Sequence, residues 1–154
     1  MPVERAGASL HGVIDRVDTS GTSALVVDYK SGARADPVAS WDARNRLQAG
    51  IYMLAVDHLL GLEPAGAVYA PLRGTDLRPR GLLAARSREQ LGGGYVRTDF
   101  RDPDEFDDQL ERVRERVAAL VADLRGGRIE CRPESCTARG GCAHPSICRV
   151  DGPA

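Results

Sequence analysis

Apolar and polar positions change their period along this chain, and each change marks an element. Residues 9–18 (Ser-Leu-His-Gly-Val-Ile-Asp-Arg-Val-Asp) alternate loosely, residues 24–30 (Ala-Leu-Val-Val-Asp-Tyr-Lys) are rich in β-formers, and the polar stretch Thr19 to Ser23 joins them. That pattern predicts a β-hairpin with a loop of about five residues. Ser40 is placed to cap a helix that runs to about Leu60 and stops at Gly61, with Trp41, Leu47, Ile51, Leu54 and Leu59 at roughly helical spacing. Residues 66–72 then read as a strand, and 80–86 as its partner beyond a turn at Gly74 to Asp76. Asp102 and Pro103 open a second helix, with Phe106, Leu110, Val113, Val117, Leu120, Val121 and Leu124 on one face and Gly126-Gly127 as the stop.

The order β-β-α-β predicts a mixed α/β domain rather than a bundle or a sandwich. Residues 128–154 break with it: rich in Cys, Gly, Pro and Arg, they hold too little apolar surface to pack alone and need a ligand or a docking surface. The expected division is a core over 1–127 and a Cys-rich tail over 128–154.

Length changes this picture little, since 154 residues suit one compact domain with a small appendage. No run of about 18 apolar residues occurs, and Met1 to Arg5 lacks the apolar stretch of a signal peptide, so a soluble, cytoplasmic chain with no membrane partner is expected. The net charge of −1 conceals that Lys30 is the only lysine, every other basic side chain being arginine. Arginine suits phosphate, but GC-rich coding produces the same bias, so charge alone does not select a nucleic-acid partner. All four cysteines, Cys131, Cys136, Cys142 and Cys148, fall after residue 130. Disulfides of a secreted scaffold would be spread to staple distant segments, so the clustering favours a metal site.

In a strand, residues two apart share a face, which puts Asp28 and Lys30 on one side and Tyr29 on the other. A hairpin with Asp15 opposite Val26 sets Asp15 and Asp28 diagonally, roughly 7–8 Å apart at Cα. Two carboxylates supply oxygen ligands for Mg²⁺ or Mn²⁺, and a nearby ammonium orients water and stabilises charge developing on a phosphate. The tripeptide alone equally describes a same-face ion pair at a strand end.

Three segments in order narrow the choice: Gly12-Val13-Ile14-Asp15-Arg16-Val17-Asp18, then Val26-Val27-Asp28-Tyr29-Lys30-Ser31-Gly32, then Gln48-Ala49-Gly50-Ile51-Tyr52-Met53-Leu54-Ala55. The series resembles that of the PD-(D/E)XK nuclease superfamily, and within it the nuclease domains of RecB and AddB type, over about residues 3–72 and again in the Cys-rich end. The resemblance implies a restriction-endonuclease-like fold, a mixed central sheet flanked by helices, and metal-dependent hydrolysis of DNA beside a helicase, exonuclease rather than endonuclease. It implies Asp15 and Asp28 as metal ligands, the Tyr29 carbonyl as a further one, and Lys30 as the catalytic lysine. Gln48 and Tyr52, four apart on one helical face, would hold the strand-end site or the DNA strand; a buried Tyr with a Gln partner is the structural alternative. Arg16 and Asp18 read as a structural or DNA-side pair.

Two departures from the family pattern matter. Family members carry a His or Glu ligand on a helix before the first strand, whereas eight residues precede the hairpin here. The chain is therefore expected to be N-terminally truncated, or to be a catalytically impaired domain; Glu4 reads as a strand residue, and His11 as a strand residue that becomes a ligand only if no bulge intervenes before Asp15. At the other end, Gly141 to Arg149 resembles the Cys-x5-Cys-Arg end of AddB and Cas4-like nucleases, whose cysteines hold a [4Fe–4S] cluster. Here all four cysteines are local, so either Cys131 is the fourth ligand or an upstream cysteine is. Zinc is the alternative metal, His144 a substitute ligand, and four free thiols the bland case. The rivals to a nuclease are a nuclease-like scaffold that binds DNA or a helicase without cutting, and a zinc-stabilised interaction module.

Overall fold

The structure, a computed structural model, describes residues 2–3 and 8–128. Glu4, His144 and the four cysteines lie outside the described residues. The chain divides into two units, Met1–Ala119 and Leu120–Ala154.

The first unit is built on a mixed five-stranded sheet in the order β3-β4-β5-β6-β7. Its strands are β3 (Arg16–Ser20), β4 (Ser23–Lys30), β5 (Glu63–Pro71), β6 (Arg80–Ala84) and β7 (Phe100–Arg101), with a separate two-stranded ribbon of β1 (Pro2–Val3) and β2 (Ala8–Ser9). β3 and β4 are antiparallel, β4 and β5 parallel, β5 and β6 antiparallel, β6 and β7 parallel. The described residues also form the helices α1 (Gln48–Leu60), the short α2 (Arg88–Leu91) and α3 (Pro103–Arg125). This is the expected α/β, restriction-endonuclease-like class.

β4 is buried on both faces from Ala24 to Asp28, as a strand with a parallel neighbour requires. Leu25 and Val27 point into a cluster with Val68, Leu83, Leu91 and Phe100. Ala24, Val26 and Asp28 have the opposite parity and face the side on which α1 packs through Ala49, Met53 and Val56. The strand thus delivers Asp28, and beyond it Lys30, to the α1 side of the sheet.

Several boundaries differ from expectation. The hairpin closes through a pair between Ser20 and Ser23, so its loop is the two residues Gly21 and Thr22 rather than five. Val26 pairs with Val17, not Asp15, and β3 begins only at Arg16, leaving His11 and Asp15 outside the strand. α1 begins at Gln48 rather than near Ser40, because Val38–Ser40 forms a short 3₁₀ turn and Asn45 takes a left-handed φ of 49° that ends helical continuation. Trp41 is nonetheless almost fully buried, held by its Nε1 donating to the Asp36 carbonyl at 3.2 Å and by edge contact with Tyr69. Its apolar spacing reported burial, not helix. Gly61 ends α1 with φ 62°, as expected.

In the second unit the described residues are the end of α3 and the Gly126-Gly127 stop, where Arg128 donates to Asp123 at 2.7 Å. Among the described residues no helix is long and apolar enough to cross a membrane.

Candidate functional site

Asp28 is the only aspartate on the α1 side of β4, and its side chain is 4 % exposed. Burying a carboxylate costs several kcal/mol unless a counter-charge is supplied. Lys30, two residues on and so on the same face, places Nζ 2.5 Å from Asp28 Oδ2. Apart from this ion pair, that oxygen has no hydrogen-bond partner among the described residues, so it keeps a buried lone pair for a further ligand.

Lys30 is positioned from three sides. Nζ donates to Gln48 Oε1 at 2.7 Å and lies 5.0 Å from the ring centroid of Tyr69, the residue beside Asp28 in the parallel ladder. An ammonium only donates, so Gln48 turns its oxygen to it and its amide to Tyr52, whose hydroxyl accepts at 3.0 Å. The Tyr52 hydroxyl in turn donates to the Val13 carbonyl at 2.6 Å. Gln48 and Tyr52 reach one another because four residues make just over one helical turn. α1 itself is docked at its first turn by Ala49 N–H donating to the Tyr69 hydroxyl at 3.2 Å. Burial pushes the Tyr69 phenol above its ordinary value, opposed by that backbone donor.

Asp15 joins from the segment ahead of β3: its Oδ2 accepts from the Tyr29 backbone N–H at 2.9 Å. The residue is exposed, and its carboxylate sits against the peptide between Asp28 and Tyr29. The Tyr29 side chain points to the other face, where its hydroxyl accepts from Arg16, itself paired with Asp18 at 2.7 Å. Asp18 raises the Arg16 guanidinium above its ordinary value, first through that hydrogen bond.

The structure therefore brings Asp15, Asp28, Tyr29, Lys30, Gln48 and Tyr52 into one connected set. His11 lines the adjoining cleft, and its Nε2 lies 3.5 Å from Ser9 Oγ, away from the carboxylate set. Among the described residues no group of three His, Cys, Asp or Glu side chains forms. Mg²⁺ is commonly held by one or two carboxylates with water and substrate phosphate completing the shell. An all-oxygen pair in which one buried carboxylate oxygen has no partner but Lys30 among the described residues fits that donor set.

The cleft beside Lys30 has a volume of about 520 Å³ and is lined by residues of the β4–α1 loop and of α1, Arg34, Asp36, Arg46 and Tyr52 among them. Asp36 organises the loop, accepting from Arg44 Nη1 and Arg46 Nε, each at 2.6 Å. Asn45 at the turn accepts both Nε and Nη2 of Arg116 from α3, at 3.2 and 3.1 Å. Sequence reasoning missed this loop, Tyr69 and the Val13 carbonyl. A spacing rule sees same-face partners within an element and carries no signal for a carbonyl, a ring and a guanidinium that meet only by tertiary packing.

The sequence model of the PD-(D/E)XK nuclease superfamily matches residues 1–149. No curated protein and no solved structure matches the chain.

Proposed function

This chain belongs to the PD-(D/E)XK nuclease superfamily, and we propose that it is a metal-dependent deoxyribonuclease of RecB and AddB type, with Asp15, Asp28 and Lys30 at the reacting centre. The observation that carries this is the Asp28–Lys30 pair, in which a buried carboxylate oxygen, with no other partner among the described residues, lies 2.5 Å from an ammonium that three neighbours hold in place.

Asp15 and Asp28 would hold Mg²⁺ or Mn²⁺, with the Tyr29 carbonyl as a further ligand. The bound ion supplies Lewis acidity at a phosphoryl oxygen and offsets charge in the transition state. Lys30 orients the attacking water and stabilises the negative charge that grows on the phosphate oxygens as the new P–O bond forms and the ester P–O bond breaks. Gln48 fixes Nζ, and Tyr52 ties Gln48 to the segment that carries Asp15. The four cysteines of the tail, by their spacing and the family likeness, would hold a [4Fe–4S] cluster; iron content and visible absorbance distinguish it from zinc. Association with a helicase in DNA repair rests on the RecB and AddB likeness.

The test is cleavage of labelled linear and single-stranded DNA with Mg²⁺ or Mn²⁺, comparing wild type with Asp28→Ala and Lys30→Ala. Cleavage that needs the ion and is lost in both variants supports the proposal. A readout independent of turnover is thermal stability. Mn²⁺ at 100 times its dissociation constant would raise wild-type stability by about 2.7 kcal/mol by linkage, and Asp28→Asn would abolish that gain.

The second possibility is a nuclease-like scaffold that binds DNA or a helicase without cutting. It is favoured by the absence, among the described residues, of a third acidic or histidine side chain beside Asp15 and Asp28. A folded wild type that binds DNA but cleaves none, with either ion, selects it.

A further inference from the structure

We infer that the β4–α1 loop forms a separate subsite for a DNA backbone phosphate neighbouring the scissile one, with Arg34 as its principal ligand and Arg46 as a second, pre-positioned cation. The inference rests on the nuclease function proposed above for its substrate class, and stands on different residues.

The cleft wall carries three cations, Lys30, Arg34 and Arg46, and one acid, Asp36. Asp36 is already committed: both its oxygens are taken, one by Arg44 and the other by Arg46 Nε. Its negative charge is thus spent on shaping the loop, and Arg44 and Arg46 outnumber it. Lys30 is likewise committed to Asp28 and Gln48. Arg34 differs from both: it is exposed, lines the cleft, and its guanidinium has no hydrogen-bond or ion-pair partner among the described residues. On a chain whose net charge is −1, a wall with a cationic excess beside a catalytic lysine is a local feature, not a consequence of composition.

Two further features agree. The first turn of α1 lines the same cleft through Gln48 and Ile51, and it holds no acidic residue and no side-chain cap, so the positive end of the helix is not offset there. The loop is also braced from behind, since α3 holds its far end through Gln109 to Asp42 at 3.1 Å and Arg116 to Asn45. A braced loop presents its cations without an ordering cost at the moment of binding. A guanidinium is the group whose planar fork fits a phosphate with two parallel hydrogen bonds. Such contacts set register along the strand and read no base.

The experiment is equilibrium binding of a fluorescein-labelled single-stranded oligonucleotide, by anisotropy in Ca²⁺ across a range of salt concentrations. Wild type is compared with Arg34→Ala, Arg34→Lys and, as a control on α3, Arg114→Ala. Loss of one phosphate contact on a single strand lowers the slope of log K against log salt by about 0.7, and weakens binding roughly three- to tenfold at moderate salt. That result is expected for Arg34→Ala, with Arg34→Lys keeping most of the slope and Arg114→Ala matching wild type. Arg34 is exposed, so the variant keeps the fold, which a thermal melt verifies. Equal affinity and slope for wild type and Arg34→Ala would overturn the subsite, as would an equal loss in Arg114→Ala. The nuclease proposal fails independently, by a wild type that binds the oligonucleotide but cleaves nothing in Mg²⁺ or Mn²⁺.

Discussion

The Tyr52 hydroxyl donates to the Val13 carbonyl at 2.6 Å, two residues ahead of Asp15. Through Gln48 the same hydroxyl is linked to Lys30, so one side chain on α1 ties together the segment carrying Asp15 and the end of the strand carrying Asp28. Residues that orient ligands of a metal site without touching the metal commonly cost about 10- to 100-fold in metal affinity or activity when removed. Tyr52→Phe keeps the ring and its packing and deletes only the two hydrogen bonds. The expected outcome is a fall of that size in kcat/KM for DNA cleavage, with far-UV circular dichroism unchanged and a higher Mn²⁺ concentration needed for half-maximal rate. Wild-type metal dependence in Tyr52→Phe would show that Val13 is held without it.

Gly50 lies inside α1, where glycine is unfavourable by about 1 kcal/mol relative to alanine. The packing explains its presence: a Cβ built there would lie 2.6 Å from Val113 Cγ2 and 3.0 Å from Cγ1, on α3. Val113 is itself buried, and a β-branched side chain in a helix has little rotamer freedom to yield. Gly50→Ala is therefore expected to destabilise despite its better helix propensity, by about 1–2 kcal/mol after the two effects are set against each other. Urea denaturation measures it. The double variant Gly50→Ala/Val113→Ala should show a favourable coupling, because the second change removes the obstructing methyls. A Gly50→Ala that is more stable than wild type would mean the two helices separate freely.

What could be read in the sequence divides along a physical line. Period-2 alternation placed Asp28 and Lys30 on one face of β4, and the i, i+4 relation placed Gln48 beside Tyr52; both are properties of one element and need no tertiary knowledge. The α3 stripe from Phe106 to Val117 and the Gly61 stop were legible for the same reason. Trp41 was misread because apolar spacing reports burial without saying which backbone achieves it. The residue packs against Tyr69 from a turn shaped by Asp36, Arg44 and Arg46, none of which carries an apolar signal. The hairpin register slipped because the polar run Thr19 to Ser23 suits a five-residue loop as well as the two-residue one that forms. Asp15 lies outside the ladder because β3 begins only at Arg16, and its carboxylate meets the Tyr29 N–H instead of facing a strand partner.

Tyr69 offers a prediction in pH. Its phenol is raised above the ordinary value of 10.0, chiefly by burial. The folded state thus favours the neutral phenol more than the unfolded chain does, so this stabilisation is fully present below about pH 10, where the unfolded phenol titrates. It is lost as pH climbs from there toward the higher folded value. Tyr95, also raised by burial, contributes in the same direction. Tyr69→Phe removes the titrating group together with the acceptor for Ala49 N–H at the start of α1. At pH 7 the variant should therefore be less stable by about 1 kcal/mol, the net worth of a buried hydrogen bond. Between about pH 10 and 11 its stability should fall less steeply than that of wild type, the remaining slope belonging to Tyr95 and the unfolded-state charges. Urea midpoints at pH 7, 9, 10 and 11 test both halves. Parallel pH curves for the two proteins would show that water reaches the Tyr69 hydroxyl, whereas converging curves place it in the dry contact between Trp41, Lys30 and the first turn of α1.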